Sequence, residues 1–314
     1  MTRIPILLVL LAAPLATAAL AASKDADGAF VGPGACASCH LQETNVWKGT
    51  KHYKGFDGAE ANPKHKDILA VVGDSKSMKT SATCTLCHFT MVSSGGGKPL
   101  AKAGPSCESC HGAASEWIKV HSDFGKGVTK EKESEQHRLE RRLAANKAGM
   151  RLPRELFDIA SSCAQCHGMA HPGLSGEVLA KMLEAGHPLE PQWELVRYSQ
   201  GSVRHRFYPV GSGTENHTMT AGELARMFKA GQAVRLVSAT RALEKSKDPG
   251  YRAAQKQRAQ DARDALDPVK ELPEVAALLA TPTEETARRV AETASARDLS
   301  DELSGKLPHQ TTYK

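Results

Sequence analysis

The chain has 314 residues, 40% of them hydrophobic and only 5% aromatic, against the roughly 45–50% apolar content of an ordinary globular chain, so a conventional core is thin for this length. Its formal charge of +6 is spread over basic residues that alternate with acidic ones, with no aromatic-rich basic patch, which argues against a nucleic-acid binder. Eight cysteines leave disulfides, a structural zinc site or covalent cofactor attachment open until their spacing is read.

The first 21 residues read as a secretory signal. Arg3 precedes an apolar run from Ile4 to Ala18, and Ala19-Leu20-Ala21 offers the small residues of a cleavage site, so the mature chain is expected to begin near Ala22. The rival reading is an uncleaved N-terminal membrane anchor, since Ile4 to Ala22 is 19 residues, about the length that spans a bilayer; Pro14 and the Ala-rich end favour cleavage. Later apolar stretches, such as Ile68 to Val72 and Val275 to Ala280, are far shorter. The mature protein is therefore expected to be exported and periplasmic, touching a membrane at its surface without spanning it.

Every cysteine then falls in a Cys-x-x-Cys-His unit: Cys36 and Cys39 with His40, Cys84 and Cys87 with His88, Cys107 and Cys110 with His111, Cys163 and Cys166 with His167. Two thiols at this spacing reach the two vinyl groups on one edge of a porphyrin while the next imidazole comes beneath the iron. Disulfides give no reason for a histidine after every pair, and a zinc ribbon takes its cysteine pairs two at a time. Four covalent haem c groups are implied. They also answer the thin composition, because four apolar macrocycles would fill the region from Cys36 to His205.

Nine further histidines could cap the irons: His52, His65, His121, His137, His171, His187, His205, His217 and His309. The three tryptophans each stand upstream of one of them, Trp47 before His52, Trp117 before His121 and Trp193 before His205, and aromatic packing is expected beside a haem. Trp117 and His121 share a face if that stretch is helical. His65 in a Lys-rich loop and His309 in the tail look solvated.

Val31-Gly32-Pro33 before the first motif, Trp47 to Tyr53 after it, Gly104 to Gly112 around the third, Trp117 with His121, and Tyr198-Ser199 to His205 together resemble the tetrahaem cytochromes related to cytochrome c-554 of ammonia-oxidising bacteria, over about residues 31 to 208. The resemblance implies that His52 crosses to the third haem, His121 returns to the first and His205 serves the fourth. It also implies a five-coordinate, high-spin haem on His88, for which His171, His217 and Met219 remain alternative sixth ligands.

The fold expected is mainly α, a multihaem cytochrome c with long loops around four haems and a helical C-terminal extension. Its parts are a signal peptide (1–21), a lobe with motifs one to three (22–125), a charged helix or linker (126–154), a fourth-haem segment (155–219) and the extension (220–314). Gly95-Gly96-Gly97 reads as a plain connector. In the extension, Thr220 and Glu223 suit a capping box with Leu224, Met227 and Phe228 on one face. Tyr251 to Leu266 reads as a surface helix ended by Asp267-Pro268, and Thr281, Pro282 and Glu284 start another.

The function implied is electron transfer rather than catalysis, from a multihaem oxidoreductase of the hydroxylamine-oxidising type to a membrane cytochrome or soluble acceptor. Two other readings stay open: a reductase of nitric oxide-type small molecules at an open haem on His88, and a subunit of an extracellular cytochrome filament. No Cys-x-x-Cys-Lys unit, the mark of one class of nitrite reductases, occurs.

Overall fold

Several of the longer helices begin where a short polar side chain takes up a free N–H group of the first turn. The computed structural model describes residues 28–93, 97–190, 192–205, 218–293 and 298–314; the segment expected to be a signal, Gly95, Gly96 and His217 lie outside the described residues. It is mainly helical, 58% helix against 3% strand, as the sequence implies. The short first helices are α1 (Leu41–Gly49), α2 (Lys51–Gly58) and α3 (His65–Val72). The charged segment forms α4 (Glu135–Lys147), capped by Ser134, and α5 (Leu156–His167) ends on the fourth motif. Next come α6 (Gly176–Glu184), capped by Ser175, and the 25-residue α7 (Ala221–Lys245). The last three longer helices are α8 (Pro249–Leu266), α9 (Pro273–Ala280) and α10 (Glu284–Glu292); α7 opens on the expected Thr220–Glu223 box and α8 on Asp248 with Pro249. Strands β1 (Thr90–Val92) and β2 (Leu100–Ala103) make one antiparallel hairpin between the second and third motifs.

The core divides unevenly. A cluster of 23 buried residues runs from Phe157 on α5 through Trp193, Leu195 and α7 to Leu303. Around the first three motifs the clusters hold only four and three buried residues, Ile68's neighbour Leu69 with Met78, Cys84 and Phe89 in one and Ala114, Trp117 and Ala145 in the other. The thin core read from composition thus belongs to the motif-bearing lobe. The extension has a full one, and the fourth motif is built into it because α5 packs directly on α7 and α10. Arg288 of α10 reinforces that joint, pairing with both oxygens of Asp158 at 2.8 and 2.9 Å while lying 4.2 Å over the Phe157 ring.

One expectation needs correction. Residues 251–266 are not a surface helix: Tyr251, Gln255, Arg258, Ala262, Ala265 and Leu266 are buried on one face of α8. Their spacing of three and four is a regular helical stripe, hidden in the sequence because two of its members are polar. Helix α10 starts at Glu284 on a Thr283–Thr286 box, two residues beyond the expected Pro282.

Leu236 at the centre of α7 is fully buried. Leu236→Ala is expected to destabilise the protein by about 2–5 kcal/mol, read as a lowered urea midpoint with an unchanged slope.

Candidate haem sites

The second motif lies on the one-turn helix Thr85–His88 and the third on Cys107–His111, while the first opens within the short turn Gly34–Ala37. No disulfide joins any of the eight cysteines. Instead thiols of different motifs lie within hydrogen-bonding reach: Cys36 with Cys107, Cys110 with Cys163, and Cys87 with Cys166. The motifs therefore follow one another in space as first, third, fourth, second.

Each motif histidine has another imidazole facing it. Ring centroids are 6.2 Å apart for His40 and His121, 6.0 Å for His52 and His167, 6.0 Å for His88 and His187, and 6.3 Å for His111 and His205. An imidazole nitrogen sits about 2.0–2.1 Å from a bound first-row metal and about 1.1 Å from its own ring centre, so two trans ligands hold their centroids roughly 6.3 Å apart. The residues present fit a haem iron on this test. Among the described residues no cluster of three or more His, Cys, Asp or Glu could hold a bare metal ion, whereas an iron inside a porphyrin asks the protein for two ligands only.

Ring orientation is set by backbone carbonyls. Nδ1 of His121 lies 2.7 Å from Ile118 O, that of His187 2.9 Å from Pro188 O, that of His205 2.7 Å from Val203 O and that of His111 3.1 Å from Arg151 O. A proton held on Nδ1 leaves Nε2 as the free donor toward a metal. Burial, joined by the charges of neighbouring histidines, pushes His88 down to about 4, and burial together with His52 does the same for His167. His52, His111 and His187 are also lowered, by burial first. Neutral imidazole is the ligating form.

Two expected crossings are exchanged. His52 faces the fourth motif's His167 rather than the third motif, and His205 faces the third motif's His111 rather than the fourth. The backbone explains the first: His52 O packs so closely on Gly104 that a Cβ there would lie 2.0 Å from it, so the chain runs beside the third motif while the ring reaches past it. For the second, the C-terminus guides the turn before His205, with Lys314 N donating to Arg197 O and Ser202 N donating to Lys314 O. His121 faces His40, the pairing the resemblance implies. His88 is faced by His187, so the expected open face is not seen here. Of the alternatives named for it, His171 accepts the Gly173 N–H and Met219 packs on the extension's core.

His187 is one of the nine candidate histidines but is not singled out in the sequence, because no tryptophan precedes it; its signal is the Gly186-His187-Pro188 turn after α6, where Gly186 has φ +94°. Trp193 does not attend His205: it stacks on His167 at 5.9 Å and 14°. Trp117 meets His121 edge-on at 5.1 Å, and Trp47 donates to Pro105 O at 2.9 Å ahead of the third motif. Nor is the charged segment only a linker. Arg141 of α4 spans the buried Glu133 carboxylate, at 2.6 Å, and the carbonyl of His121.

Within the third motif, Glu108 is buried and accepts from the backbone N–H groups of Val31, Gly32 and Ala114 at 2.8–2.9 Å. That one carboxylate pins the strand leading to the first motif onto the third. Gly112, at φ +89°, follows His111 where a Cβ would meet Gly149 O at 2.4 Å, which lets Arg151 close over His111.

Paired imidazoles behind Cys-x-x-Cys-His units define a c-type cytochrome site. The family model described as cytochrome c554 and c-prime matches residues 35–112, a stretch holding the first three motifs. Over that stretch the chain is similar to that family of c-type cytochromes, and the resemblance read from the motifs is supported. No curated protein and no solved structure matches the chain.

Glu108→Gln is expected to cost about 1.5–3 kcal/mol through weakened charge-assisted hydrogen bonds, measured by denaturant unfolding. Glu194, beside Trp193, is 8% exposed and accepts from Val196 and Arg197 N–H; burial nevertheless pushes its carboxyl up from 4.5 to about 7. The folded state then keeps a proton that the unfolded chain has released. This group's contribution is most favourable below about pH 4.5 and falls, by on the order of 3 kcal/mol in all, as pH rises through 7. Glu194→Gln should flatten that part of a stability-against-pH curve.

Proposed function

We propose that the chain is an exported, periplasmic tetrahaem c-type cytochrome that relays electrons from a multihaem oxidoreductase to a membrane or soluble redox protein, with every iron capped by two histidines. The observation that carries this reading is the set of four imidazole pairs at 6.0–6.3 Å, each with one member from a Cys-x-x-Cys-His unit. Cys36, Cys39, Cys84, Cys87, Cys107, Cys110, Cys163 and Cys166 would carry the thioethers. The axial ligands would be His40 with His121, His88 with His187, His111 with His205, and His167 with His52.

Bound haem supplies a one-electron iron couple whose potential depends on ligation and surroundings. The chain's part is to keep both imidazoles in place through the change of charge, so that little reorganises. The carbonyls of Ile118, Val203, Pro188 and Arg151 hold four of the rings. The thiol contacts support a path in the order first, third, fourth, second. The imidazole of His187 facing His88 supports the carrier over the reductase reading, because a second histidine there would leave no position for a substrate. Among the described residues no helix is long and apolar enough to cross a membrane.

Pyridine haemochrome assay with intact mass is expected to give four haems on a chain beginning near Ala22. Electron paramagnetic resonance of the oxidised protein should show low-spin iron alone, and His187→Ala should turn one haem in four high-spin. Fewer than four haems would overturn the tetrahaem reading, a high-spin haem in the unaltered protein would favour the reductase, and elution at the void volume of a sizing column would favour the filament.

A further inference from the structure

The geometry points to Arg258, in the extension outside the matched family segment, as the residue that sets the potential of the fourth-motif haem above that of an otherwise similar bis-histidine site. Arg258 is 2% exposed, yet its guanidinium lies against the end of the fourth motif. Nη1 donates to the carbonyl of Gly168, the residue after His167, at 3.1 Å and to Gln255 Oε1 at 2.5 Å, and Nη2 reaches Ser238 Oγ at 3.5 Å. Among the described residues each of these partners is uncharged. Other titratable groups that act on it are Arg235 and Asp261, which pair with each other at 2.6 Å, and the Tyr251 hydroxyl, which donates to Met169 O. Desolvation and Arg235 push Arg258 down to about 10, so the cation persists at neutral pH.

A fixed positive charge inside the protein, one residue beyond the proximal ligand, favours whichever state of the iron carries less positive charge. The reduced state is that state: one electron is added to the iron, no bond is made or broken, and no proton moves. Water would screen such a charge at the surface, but α7 and α8 enclose it. The plainer role of Arg258 is to cap the last carbonyls of α5, where a cation is favourable in any helix. That role predicts a loss of stability and no selective change of potential, so the two are separable.

This inference rests on the tetrahaem reading, and the test is built to tell the two apart. The full-length holoprotein is titrated potentiometrically with visible and paramagnetic-resonance detection, in the unaltered form and as Arg258→Gln, Arg258→Lys and Ser238→Asp. Haem count is checked for each. Arg258→Gln is expected to lower one of four midpoint potentials by a factor of ten or more in the reduction equilibrium constant, about 59 mV for one electron, with the other three within twofold. Arg258→Lys should keep the potential. Ser238→Asp, which sets a carboxylate beside the intact guanidinium, should lower the same one, and it carries the test with Arg258→Lys if Arg258→Gln does not accumulate. In a His52→Ala background the fourth-motif haem is marked as high-spin, and the shift should follow that signal. Four haems with all potentials within twofold in Arg258→Gln and Ser238→Asp would overturn the inference; a haem count other than four would overturn the tetrahaem reading instead.

Discussion

The facing of two imidazoles about 6 Å apart, four times over, is the constraint on which the rest of this structure depends. Each pair joins residues far apart in sequence: 40 with 121, 52 with 167, 88 with 187 and 111 with 205. No pair closes within its own motif, so the first half of the chain and the second cannot come apart without losing a ligand set. A lobe whose protein clusters hold three or four buried residues has little else to hold it. On the proposed tetrahaem reading its stability would be tied to cofactor loading, as with any site whose ligands are scattered in the unfolded chain.

The extension does a different task by different means. Its core is apolar and continuous, but where it meets the haem region it offers polar side chains to backbone carbonyls. Tyr251 reaches Met169 O, Gln255 and Arg258 reach Gly168 O, and Lys245 donates to the carbonyls of His171, Pro172 and Leu174. Residues 168–174 therefore have few degrees of freedom left. They connect His167 to α6 and onward to His187, so one clamp fixes a ligand of the fourth motif and a ligand facing the second. Buried hydrogen bonds to carbonyls suit this purpose better than apolar packing, because they specify position as well as proximity.

The attachment motifs were wholly legible, since their chemistry fixes both residue type and spacing, and the helix start at Thr220 is a local signal of the same kind. The facing histidines were legible as candidates but not as partners. His52 lies near the third motif in backbone and at the fourth in side chain, a distinction made by the approach of His52 O to Gly104 and by nothing local. His187 was masked by an unremarkable turn, and Trp193 served a proximal ring instead of the histidine it precedes. The burial of α8 was hidden because Gln255 and Arg258 occupy positions on its inner face where a hydrophobic stripe would normally be read.

The standing of His187 and the burial of α8 were missed for one cause. Sequence patterns report apolar burial and covalent chemistry well, and report poorly the polar groups that a fold buries to hold something in place. Arg258, Gln255, Glu108 and the Nδ1 atoms of His121, His187 and His205 all belong to that second kind: each is inside or half-inside the protein, and each is answered by a main-chain group rather than by another side chain's charge. A carrier that must accept an electron without moving its ligands needs such contacts, since rigidity at a redox centre lowers the rearrangement that accompanies a change of charge. The polar positions of the extension and the imidazole pairs of the lobe are thus two parts of one solution, the first holding still what the second brings together.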